Sequence, residues 1–232
     1  MNKITVIATA GVAVVLGVTL VGCGSKTGSG TSATNSATST STSATATAAP
    51  STSAAPARNK TINEYITENN IAETPIKPGD PGTPDFDFPF PPGWSPAGDK
   101  KPDWAYGAIL YDKPADPNDP PFMYAIAVKL AGNVDATKVL ELAPGQLDDL
   151  PDFAPLGPPN KSSLSGFDAV QYAGTYTKDG KKHIAAQKTV VIPGKDGLFA
   201  LQLNADAPDG QQDVIIDAVN VIDGQTVITP PA

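Results

Sequence analysis

The sequence predicts an α+β domain in which helices pack against an antiparallel β-sheet, and three features carry that expectation. Two apolar, β-branched runs at 167–178 and 181–192 are joined by Asp179-Gly180, the composition of a two-residue type I′ hairpin. Helical spacing, with Val214, Ile215, Ala218, Val219 and Ile222 on one stripe, returns near the C-terminus, and a capped helical start stands near residue 61. No glycine-rich strand-to-helix turn is present, so nothing argues for a parallel nucleotide-binding sheet.

Taken from the N-terminus, Lys3 precedes an uncharged apolar stretch from Ile4 to Gly22, the layout of a signal peptide over residues 1–22. Leu20-Val21-Gly22-Cys23 has the pattern of a bacterial lipobox: small residues give the peptidase access to the backbone, and the thiol of Cys23 takes the lipid. Cys23 is the only cysteine, so the exported protein has no internal disulfide and its fold rests on its core. No twin-arginine pair precedes the apolar run, which points to the general secretory route. Residues 23–60 are almost entirely Ser, Thr, Ala, Gly and Pro, with only Lys26, Arg58 and Lys60 charged. Such a tract buries no apolar face and reads as a tether with a root-mean-square reach of roughly 30 Å.

Residues 61–232 are long enough for one domain with a core. Thr61-Ile62-Asn63-Glu64 is a capping box opening a helix to about Asn70,. Between Pro75 and Pro121 prolines admit only brief edge strands, such as 85–88, with a better-formed strand at 107–111. Asp116-Pro117-Asn118-Asp119-Pro120 is a turn, and 122–130 reads as a strand,. Asp135 caps a helix carrying Val139, Leu140 and Leu142, which Pro144 kinks or restarts. The hairpin follows, then a strand at 198–204 and the last helix, with Asp209 before it, giving the order α-β-β-β-α-β-β-β-α.

Without Lys3 the chain holds 15 Lys and Arg against 24 Asp and Glu, a net charge of −9 that disfavours nucleic acid and anionic surfaces as partners. One histidine, His183, and no free thiol leave a single candidate for nucleophilic catalysis. If Asp179-Gly180 is a two-residue turn, Tyr176 lies opposite His183 and Tyr172 opposite Gln187. No metal or cofactor is expected, because soft ligands are too few and residues 116–119 lack calcium-loop spacing. The candidate ligand-binding residues are Trp94, Trp104, Tyr106, Phe122 and Tyr124 in and after the proline-rich stretch, with Tyr176, His183 and Gln187 on the hairpin. Aromatic rings in irregular backbone suit lipid or sugar recognition. Trp94 and Trp104 are expected to be partly exposed.

Several segments carry a family resemblance: Thr61-Ile62-Asn63-Glu64-Tyr65-Ile66, Glu73-Thr74-Pro75, Gly79-Asp80-Pro81-Gly82, Ala115 through Pro121, Ala186-Gln187-Lys188-Thr189-Val190-Val191-Ile192-Pro193, and Leu201 through Ala207. With the lipobox and tether they resemble the LpqN/LpqT lipoproteins of mycobacteria over essentially the whole chain. The resemblance implies a Mog1/PsbP-like α/β/α sandwich and a place on the outer face of the cytoplasmic membrane. It also implies a non-enzymatic accessory role toward envelope lipids of the mycolate and trehalose type, or toward their resistance-nodulation-division-type transporters. A hydrolase or transferase acting on an envelope glycolipid is the alternative; the resemblance brings no catalytic motif.

Cys23→Ala should release the protein from the membrane or leave it unprocessed, since one residue supplies both the cleavage site and the anchor. Detergent-phase partitioning reads this directly, and a normally processed mutant that still partitions with membranes would overturn the lipobox assignment.

Overall fold

The computed structural model describes residues 59–231. The signal segment, Cys23 and nearly all of the tether lie outside the described residues. The described part opens with α1 (Ile62–Glu68), where Thr61 accepts a bond from the Glu64 amide while Glu64 reaches back to the Thr61 amide. This reciprocal cap satisfies two otherwise orphaned donors and is worth about 1 kcal/mol. The helix ends two residues earlier than its sequence suggests, with Asn70 in the left-handed region at φ 51°.

Next come β1 (Ala72–Pro75), β2 (Asp85–Asp87), β3 (Trp94–Pro96), β4 (Gly107–Tyr111) and β5 (Phe122–Ala131). Helix α2 (Ala136–Leu142) is capped by Asp135, which accepts from the amides of Thr137 and Lys138, and α3 (Gly145–Asp148) restarts after Pro144. The second half holds β6 (Ala154–Pro155), β7 (Asn160–Leu164), β8 (Phe167–Lys178), β9 (Lys181–Gly194), β10 (Gly197–Pro208), α4 (Gln212–Gln225) and β11 (Val227–Thr229).

Nine strands form one antiparallel sheet whose central path is β3-β4-β5-β10-β9-β8-β6. β1 shares the outer edge of β5 with β4, and β7 shares the outer edge of β8 with β6. Proline-bearing β1, β3 and β6 all sit at edges, where a missing N–H costs no ladder bond. A separate two-stranded ribbon pairs β11 with β2. Asp179 and Gly180 have φ of 50° and 75°, the type I′ turn that the sequence predicts, and it sets Tyr176 opposite His183 and Tyr172 opposite Gln187.

Alternation along the strands divides the side chains between two faces. On one face Val128, Ala200, Val191 and Val170 pack with Ile62, Tyr65 and Ile66 of α1 and Val139 of α2. On the other, Met123, Ala205 and Ala207 pack with Ile215, Ala218 and Ile222 of α4, and the ribbon adds Phe86 and Ile228 over Ala127, Leu201 and Val190. Helices therefore cover both faces of an antiparallel sheet. Among the described residues no helix is long and apolar enough to cross a membrane.

Several elements depart from the sequence-based expectation. β10 runs on to Pro208 because Asp206 and Ala207 keep their partners on β9. α4 starts at Gln212, three residues after Asp209, with no side-chain cap bond. β7 is a polar edge strand with a mostly exposed pattern, so no apolar alternation announces it.

Gly197 holds the β9–β10 connection at φ +139°, where an added Cβ would lie 2.1 Å from the Leu130 carbonyl oxygen. Gly197→Ala should therefore cost roughly 2–4 kcal/mol, measured as a lowered urea midpoint with an unchanged slope.

Candidate ligand-binding site

The structure separates the eight candidate residues. Phe122, Tyr124, Tyr176, His183 and Gln187 share the face that α1–α3 cover, and Trp104 is exposed with its ring set edge-on to Tyr124 at 5.3 Å. Trp94 and Tyr106 lie elsewhere. Trp94 is buried, not partly exposed: β3 pairs with β4 through Trp94 opposite Tyr111, which carries the indole into the core under α4. Tyr106 is buried against Phe86 at 5.2 Å in the ribbon core, where burial and the nearby carboxylate of Asp85 push its phenol up.

On the α1–α3 face the hairpin presents a polar cluster. His183 is only 1% exposed; its Nδ1 lies 3.1 Å from Asp206 Oδ1 and its Nε2 3.1 Å from Asp119 Oδ2, the second contact lying off hydrogen-bond alignment. Lys178 reaches Asp206 at 3.0 Å and Asp119 at 3.4 Å. The Tyr176 hydroxyl donates to Asp206 at 2.5 Å, and burial together with that carboxylate holds its phenol far above the usual tyrosine range. Tyr172 donates to Asp148 of α3 at 2.9 Å; burial, then Asp148, pushes its phenol up to about 12. Gln187 donates to Asn204 at 3.0 Å and Gln146 at 3.2 Å. These groups engage one another, and α3 with Phe153 packs over Tyr172 and Gly174. A carboxylate stands at each ring nitrogen of His183, leaving neither free to activate a nucleophile. Among the described residues, no three of His, Cys, Asp and Glu are grouped to hold a metal ion.

The opposite face is built differently. In register across three adjacent strands stand Ala173, Ala186 and Ala205, all on the side that α4 covers. Methyl groups cannot fill the space below a helix that rests on larger side chains at Met123, Ile184 and Leu203. The result is an open groove of about 390 Å³ between α4, the sheet and the 156–160 segment, within the roughly 300–1,000 Å³ common for small-molecule sites. Gln187 and Asn204 contribute to its floor, although their side chains bond on the other face.

The groove is graded. At its mouth Leu156 is 65% and Ile216 52% exposed, apolar surface left in water. Two residues along the strands from the alanines, Asn160, Gln171 and Lys188 form a second row in register. Lys188 meets Asp223 of α4 at 2.6 Å, and Asn220 stands nearby on the same wall. A smaller cavity of about 290 Å³ flanks the other side of α4, beside exposed Phe90.

None of the aromatic or titratable groups that stand out in the sequence announces this groove, yet part of its signal is local. A two-residue turn at 179–180 places Ala173 opposite Ala186, whereas Ala205 joins them only through the β9–β10 register.

Sheet, flanking helices and groove define a compact α+β domain with an apolar recess beneath its C-terminal helix. The chain belongs to the family described as probable lipoprotein LpqN, whose family model matches residues 58–229. It is 50% identical over 178 residues to lipoprotein LpqN of Mycobacterium tuberculosis (strain ATCC 25618 / H37Rv), covering 76% of this chain and 77% of that relative. It also resembles the crystal structure of LpqN of M. tuberculosis, a protein described there as involved in cell envelope biogenesis. That likeness has a TM-score of 0.71 at 50% identity and covers 74% of this chain and 99% of the other. The family name places this chain among lipoproteins of the cell envelope and suggests no enzyme activity.

His183→Ala should lower stability by roughly 3 kcal/mol, because it opens a cavity and strips Asp119 and Asp206 of a partner. Urea unfolding measures this. A variant as stable as the parent that loses turnover of an envelope glycolipid would instead mark His183 as catalytic.

Proposed function

We propose that the domain is a non-enzymatic carrier or presenter of an amphiphilic envelope lipid, held by Cys23 on the outer side of the cytoplasmic membrane, where it serves lipid transport. The alanine-floored groove under α4 carries this reading. Its apolar end accepts an acyl chain, with burial worth about 0.8 kcal/mol per methylene, while Asn160, Gln171, Asn220 and the Lys188–Asp223 pair offer hydrogen bonds to a head group. Leu156 and Ile216 at the mouth supply the exposed apolar surface that marks a binding edge,. No bond is made or broken in such a role. The relative involved in cell envelope biogenesis fits it, as do envelope lipids of the mycolate and trehalose type and a resistance-nodulation-division-type transporter as delivery partner.

Ala173 is half-buried at the groove wall, so Ala173→Phe fills the space without entering the closed core. Titration calorimetry with a single-chain alkyl glycoside should show binding to the parent and at least about tenfold weaker binding to the variant, with matching circular dichroism spectra. Equal binding by both proteins would remove the groove as the site.

A further inference from the structure

Lys188 is the feature of the groove that apolar binding alone does not explain. Its side chain is only 8% exposed, yet it projects from β9 into a recess whose lining is mainly apolar and neutral. Its partner Asp223, 31% exposed, comes from α4, so the pair spans the groove from floor to roof at 2.6 Å. A buried ammonium without a counter-charge would attract any anion that entered. With Asp223 alongside, the polar end presents a dipole and no net charge.

We infer that Asp223 is a specificity-determining residue: by holding Lys188 in an ion pair across the groove, it makes the site select uncharged, hydroxyl-bearing amphiphiles and reject anionic ones. The inference rests on the groove being the binding site. An incoming carboxylate or phosphate would lose its hydration, gain little from a lysine already neutralised, and face Asp223 at close range. A neutral head group meets no such opposition. The ammonium has three donors and Asp223 uses one direction of them, so hydroxyl oxygens can accept from Lys188 while hydroxyl hydrogens donate to Asp223. Asn160, Gln171 and Asn220 on the neighbouring walls extend the same neutral lattice of donors and acceptors. Selectivity against the wrong ligand thus comes from a placed charge, with the attractive contacts left to uncharged groups.

The test compares decyl maltoside with decanoate, which share chain length and differ in head-group charge, each below its micelle-forming concentration. Calorimetry would use the whole mature chain with Cys23→Ser so that no attached lipid competes. The parent should favour the maltoside. In Asp223→Asn, the ratio of decanoate to maltoside affinity should rise about tenfold or more, since Lys188 then lacks a counter-charge. The mirror variant Lys188→Met leaves Asp223 at the solvent-touched rim and should raise the ratio of decylammonium to maltoside affinity in the same way. It keeps the inference testable if Asp223→Asn does not fold. Ratios that stay at the parent's value in the folded variants would overturn the role of Asp223 while leaving the groove in place. Binding of neither decyl amphiphile to the parent would overturn the groove reading, and this inference with it.

Discussion

The two-residue turn at Asp179–Gly180 decides which side chains reach which layer. Because the side chains of a strand alternate, slipping β9 by one residue against β8 would send His183 and Gln187 to the α4 side, away from Tyr176, and turn Ala186 and Lys188 toward α1–α3,. Both faces would fail at once. Buried carboxylates would lose their partners, and the methyl row beneath α4 would be replaced by polar groups with nothing to bond. The left-handed conformations of Asp179 and Gly180 admit the tight connection that prevents this, and β10 and β5 inherit the register strand by strand.

The two faces then take on different work. The α1–α3 face is closed by aliphatic packing at one end and by an internally bonded polar cluster at the other, where a buried histidine and two half-buried tyrosines tie the hairpin to Asp119, Asp148 and Asp206. The α4 face is left incomplete. Ile215, Ala218 and Ile222 seat the helix on Met123, Ala205 and Ala207, and burial of the two isoleucines is worth about 1.5–3 kcal/mol each. Ala186 on β9 packs at the edge of that cluster, whereas Ala173 on β8 lies outside it and lines the open groove. A domain optimised for stability alone would place larger aliphatics there.

Much of the scaffold was legible because its signals are local. The Thr61–Glu64 box, the Asp135 cap, the 107–111 strand and the hairpin each declare themselves within a dozen residues. What sequence could not supply was partnership at a distance. Trp94 sits between prolines and reads as loop, yet pairing of β3 with β4 buries it against α4. Tyr106 becomes a core residue only when the ribbon of β2 and β11, drawn from opposite ends of the domain, closes over it. Aromatic character stands out in the proline-rich segment, whereas the groove is made by the absence of side-chain volume. Alanine carries little signal until register aligns three of them.

An apolar mouth is a hazard for a protein in water, since Leu156 and Ile216 offer a second copy an adhesive edge. Three features work against that outcome. The exposed apolar residues come from different elements, Leu156 from the segment before β7 and Ile216 from α4, with the recess lined by both. Asp213 and Asp217 set exposed carboxylates on α4 close in sequence to Ile216. The chain as a whole carries a formal net charge of −8, which repels like copies at low ionic strength. A single acyl chain, by contrast, is narrow enough to enter and carries no charge where the groove is apolar. The geometry that discourages self-association thus leaves the groove open to a slender amphiphile, and the Lys188–Asp223 pair sets the electrostatics of its polar end.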